Sequence, residues 1–193
     1  GSQLIKNISK LSTDTNLIAL VRSLSVPNMD SYKIIFGTEK ARKAYAPDLM
    51  AQSKSSTRGV TDPFTNRILL NTQSMETIVH ELIHAATFTS VYNAMTDGAS
   101  VEQTQAVERI EALMDQFLNM DYDTKNWSDK AATAYRRLSS VIQNIQSVNE
   151  DEILNRAKAV NEFMAWTLSN QELGYVASKT KASPEIVRWT QKA

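Results

Sequence analysis

The sequence predicts an α+β fold that is mainly helical, with a small mixed sheet of about three strands ahead of a helical bundle. Two observations carry this. Two short strand-like runs, residues 58–61 and 67–70, flank Asp62-Pro63-Phe64-Thr65-Asn66, a stretch of strong turn formers. After Asp97-Gly98, apolar residues instead recur every three or four positions in long segments with capping residues at their starts.

Taken in order, residues 16–25 (NLIALVRSLS) read as a short amphipathic helix that stops near Pro27. Residues 32–36 (YKIIF) are β-branched and aromatic between Asp30 and Gly37, and read as a strand. Thr38 can cap a helix through residue 45, ended before Pro47. Residues 48–58 are polar and rich in Ser and Lys, as in an exposed loop. The hairpin of residues 58–70 then leads directly into a helix over residues 74–87. Ser100 and Gln103 form an S-x-x-Q capping box, and Ala106, Val107, Ile110, Leu113, Met114 and Phe117 keep helical spacing to about residue 119. A polar connection, residues 120–127, precedes a helix over 128–145 with Tyr135, Leu138, Val141, Ile142 and Ile145 inward. The next helix spans 149–168. Glu150, Asp151 and Glu152 fill its first turn, where the helix dipole favours negative charge. Short helices near 171–177 and 184–190 finish the chain, the second with Ser183 as cap and Pro184 at its first position.

A length of 193 residues suits one domain, residues 1–193, with Gly1-Ser2 reading as a scar left by a tag. Residues 3–50 carry no motif. Lys plus Arg and Asp plus Glu are 21 each, so the formal net charge is zero and the surface has no basic excess for nucleic acid. Cysteine is absent, which removes disulfides and thiolate ligands and fits a reducing compartment. With no visible signal peptide or membrane span, the expected location is cytoplasmic or virion-associated.

Residues 80–84 read His80-Glu81-Leu82-Ile83-His84, the H-E-x-x-H signature of a metal-binding helix. The spacing puts His80 and His84 one turn apart on one face, close enough to share an ion. Both of the chain's histidines lie in this motif. The plain alternative is an amphipathic core helix with two hydrogen-bonded histidines. The motif resembles the zincin metallopeptidases. That resemblance implies Zn2+ as cofactor and Glu81 as the base that activates a metal-bound water.

Catalytic zinc takes three protein ligands, and with His and Cys exhausted the third should be Asp or Glu. The metzincin extension fails, because Thr87 and Ser90 stand where its Gly and third His belong. The gluzincin pattern takes a Glu from a later helix, which points to Glu162 in Asn161-Glu162-Phe163-Met164-Ala165-Trp166. Its surroundings in the sequence are apolar, where a carboxylate is costly to bury unless paired. An Arg or Lys partner would also satisfy it, and Asp97 is the other candidate ligand.

Across residues 57–175 the combination of hairpin, H-E-L-I-H-A-A-T and N-E-F-x-A-W-x-L-S-N-x-E-L resembles metallopeptidase domains of phage and mobile-element proteins, which are often parts of larger, virion-delivered chains. The resemblance implies zinc-dependent hydrolysis of a protein or peptide substrate, with a tyrosine stabilising the oxyanion: Tyr175, or in competition Tyr92 or Tyr135. Each of the three could equally be a core tyrosine. Where a thermolysin-like enzyme places an orienting Asp, this chain has Ala165 and Trp166, leaving Asn161 or a backbone carbonyl to support a histidine. The second reading is a catalytically silent module that keeps the fold within a larger virion protein.

Overall fold

The computed structural model describes residues 27–52, 58–72, 74–119, 127–148 and 151–179. The helices expected at residues 16–25 and 184–190, and the connection 120–126, lie outside the described residues. The chain divides into two compact units, Gly1–Thr89 and Ser90–Ala193. Among the described residues no helix is long and apolar enough to cross a membrane.

The first unit holds the sheet. A 3-10 turn at Pro27–Ser31 leads into β1 (Lys33–Ile35). Two short helices follow, α1 (Glu39–Tyr45) and α2 (Pro47–Gln52), then β2 (Gly59–Asp62) and β3 (Arg67–Leu70). Strand order is β1-β3-β2. β1 runs parallel to β3, with Lys33 opposite Arg67, and β2 runs antiparallel to it, with Thr61 opposite Ile68. The sheet is therefore mixed and three-stranded, as expected, with β2 at an edge.

Thr38 caps α1, its hydroxyl accepting from the Ala41 amide. α2 occupies ground that reads as loop in the sequence. Its polar composition hides two helix signals: Pro47 at the first helical position and Asp48 in the first turn. Leu49 supplies the apolar anchor, buried in a cluster with Ile35, Ala46 and Leu69. In the hairpin, Asp62 Oδ1 accepts from the amides of Phe64 (3.0 Å) and Thr65 (3.2 Å). Asn66 takes φ 52°, the left-handed conformation that Asn tolerates and that lets β3 start in register.

α3 (Met75–Ala94) is the longest described helix and outlasts the 74–87 segment predicted for it. Val79, Leu82 and Ile83 on it are fully buried. Its apolar residues extend around most of the circumference, which is the pattern of a helix embedded in protein rather than laid on a surface.

The second unit is helical: α4 (Val101–Asn119), α5 (Asp129–Ser147), α6 (Glu152–Ser169) and α7 (Gln171–Lys179). The capping box forms as the spacing requires, with the Ser100 amide donating to Gln103 Oε1 and the Gln103 amide to Ser100 Oγ. Ser128 caps α5 and Asp151 caps α6. The core gathers Val107, Met114, Phe117, Leu138, Ile142, Val160, Phe163 and Leu173. Phe117 stands at its centre, with ring contacts to Tyr135 and Phe163 at 5.6 and 5.5 Å. Arg156 on α6 makes two 2.8 Å bonds to the Glu111 carboxylate on α4.

Candidate metal centre

His80, Glu81 and His84 occupy adjacent turns of α3. A helix turns about 100° per residue, so His80 and His84 lie about 40° apart around the axis. Their Nε2 atoms are 3.0 Å apart and the rings stand edge to face, with centroids 4.6 Å apart. Both side chains are half-buried.

Glu162 lies on α6 between the buried residues Asn161 and Phe163, and is itself half-buried. His80, His84 and Glu162 each offer one ligand atom, and those atoms lie within 4.8 Å of one another. Among the described residues these three make up the group of metal-ligating side chains that could hold an ion, and Asp97 is outside it. The donor set suits zinc: two imidazole nitrogens and a carboxylate oxygen are ordinary zinc ligands. The 3.0 Å between the imidazole nitrogens is near the roughly 3.3 Å edge that two Zn–N bonds of about 2.0–2.1 Å subtend at a tetrahedral ion.

Glu81 is placed differently. It is buried, with 4 % of its surface exposed. Its carboxylate accepts a 2.7 Å hydrogen bond from the Thr61 hydroxyl on β2, and that hydroxyl also lies 3.1 Å from Glu81's main-chain carbonyl. Gly59, two residues earlier on the strand, has no side chain where Glu81 packs. A Cβ added there would come within 2.6 Å of Oε1, 2.7 Å of Cγ and 2.8 Å of Cδ.

Gly59 and Thr61 are the residues that sequence reasoning missed. A lone glycine in a strand pattern does mark a close approach of neighbouring structure, and that signal was available. Nothing in the sequence singles out Thr61 as its companion.

The tyrosines separate clearly. Tyr175 lies on α7 and is exposed. Tyr135 donates from its hydroxyl to the Leu118 carbonyl at 2.9 Å and packs its ring at a tilt against Phe117 and edge to face with Trp127, so it is part of the second unit's core. Tyr92 is half-buried against the same core.

No family model matches the chain, and no solved structure matches it significantly. The chain is similar to the virion DNA-directed RNA polymerase of Enterobacteria phage N4, at 32 % identity over 202 residues. The alignment takes in 95 % of this chain but only 6 % of that protein. The relative is thus a very large phage virion protein of which this sequence matches a small part. That finding overturns the expectation of a zinc endopeptidase hydrolysing peptide bonds, because the relative is by name a polymerase. The i, i+4 spacing of His80 and His84 states only that one helix face can hold a metal, whereas hydrolysis requires a reactive water and a substrate path that spacing does not specify.

Proposed function

We propose that this chain is a catalytically silent module of a larger phage virion protein, in which a zinc ion held by His80, His84 and Glu162 acts as a structural tie. The observation that carries the virion reading is the match along 95 % of the chain to 6 % of a virion protein. The converging donors of His80, His84 and Glu162 support the metal. An ion there would stabilise the chain by binding the folded form alone.

The test is metal analysis and thermal unfolding of the purified chain, together with a proteolysis assay on casein. One zinc per chain and a rise in melting temperature with added zinc are expected, with no cleavage at any zinc concentration. A chain that takes up no zinc would remove the tie. Zinc-dependent cleavage that Glu81→Gln abolishes would overturn the silent-module reading.

A further inference from the structure

We propose that Gly59 and Thr61 are positioning residues for the histidine pair: β2 grips Glu81 and thereby sets the rotation of α3 about its own axis. This inference rests on the metal reading above. Three observations meet at one helical position. The Thr61 hydroxyl donates to the Glu81 carboxylate at 2.7 Å and lies 3.1 Å from the carbonyl of the same residue, so it touches both side chain and main chain. Glu81 is buried. Gly59 leaves less space beside Glu81 than a single methyl group requires.

The geometry converts this grip into an angle. With about 100° per residue, His80 lies about 100° to one side of Glu81 around the axis, and His84 about 60° to the same side. Holding Glu81 against β2 therefore holds both imidazoles at a fixed angle from the sheet. A strand that pushed Glu81 away, or released it, would turn the pair and spoil the distances at the ion. Zinc tolerates little of this, since changes to groups that support its ligands weaken binding by about 10–100-fold. The same contacts give Glu81 a use that requires no reaction, which accounts for an intact H-E-x-x-H in a module that hydrolyses nothing.

The experiment measures zinc affinity by competition with a chromophoric chelator, and metal-free thermal stability, in the full 193-residue chain. Thr61→Val keeps the shape and deletes the hydroxyl, and Thr61→Ser restores it. Gly59→Ala introduces the crowding atom, and Glu81→Ala removes the atoms it would meet. Thr61→Val should weaken zinc about tenfold, with Thr61→Ser within about twofold of the parent. Gly59→Ala should weaken zinc at least as much, yet add no further loss in a Glu81→Ala background, because the two changes share one contact. If Gly59→Ala fails to fold, the Thr61 pair decides alone. Zinc binding unchanged in Thr61→Val, with only metal-free stability lowered, would overturn the positioning role while leaving the metal reading intact. A parent that binds zinc no better than His84→Ala would overturn both.

Discussion

One stretch of α3 carries two kinds of polar residue, and the fold treats them differently. His80 and His84 are half-buried and face each other across 3.0 Å. Glu81, between them in sequence, is turned into the protein and bonded to a strand. A motif that reads as one chemical unit thus divides into a half-buried histidine pair and a buried glutamate. Glu81 meets Gly59 and Thr61, which lie outside the motif altogether.

Predictions follow from that division, beginning with the change of largest effect. His84→Ala should weaken zinc by at least about 100-fold, because a three-ligand site reduced to two loses a coordinate bond. Glu81→Gln preserves shape and an acceptor for Thr61, so its zinc affinity should stay within about threefold of the parent. Chelator competition on both variants checks this, and equal losses would erase the distinction between ligand and packing residue. Next in size is the metal-free stability of Glu81→Ala. It removes a buried hydrogen bond and the atoms packed on Gly59, which should cost about 1–3 kcal/mol in urea unfolding. His80→Ala, without metal, should cost less.

The smallest effect should come from acid, and from the sheet rather than from the motif. Arg67 on β3 hydrogen-bonds Asp48 of α2 and Asp62 of the hairpin. The Arg67 bond holds the Asp48 carboxyl below its ordinary value. Burial pushes Asp62 up, but hydrogen bonds from the Thr65 hydroxyl, the amides of Thr65 and Phe64, and Arg67 outweigh it and leave that carboxyl lowered as well. Groups with depressed folded-state values contribute stability that is full above the unfolded carboxylate range and is lost as pH falls through the folded value. Both are exposed or only partly buried, so the loss should be modest and confined to pH below about 4. Melting temperature followed against pH in the parent and in Arg67→Met would register it, and identical acid profiles would remove Arg67 from the account.

How much of this was legible in the sequence varies with the range of the interaction. The hairpin and the capping box of α4 were readable because Asp62, Ser100 and Gln103 act on neighbours within three residues. The pairing of His80 with His84 was readable for the same reason, through helical spacing. α2 was not, because its only strong apolar anchor, Leu49, is buried against residues distant in the chain such as Ile35 and Leu69. The Thr61–Glu81 bond was not, because twenty residues separate the partners and no periodicity connects a strand to a helix across a turn. Contacts emerged where helix and turn geometry determine them, and the activity did not, since it depends on contacts that composition leaves unspecified.

The parallel pairing of β1 with β3 has a consequence in time. Lys33 meets Arg67 only after the whole intervening chain has been brought round, and its amide bonds the Asn66 carbonyl at 2.8 Å when it does. Closing such a loop is slow compared with winding helices from neighbouring residues. The first unit should therefore acquire its native order later than the helices that follow it. In pulsed hydrogen exchange, amides of α5 and α6 should become protected before those of Ile68 and Leu69. Zinc taken up by the histidine pair would then be captured after the helices of the second unit have formed, late in folding rather than at its start.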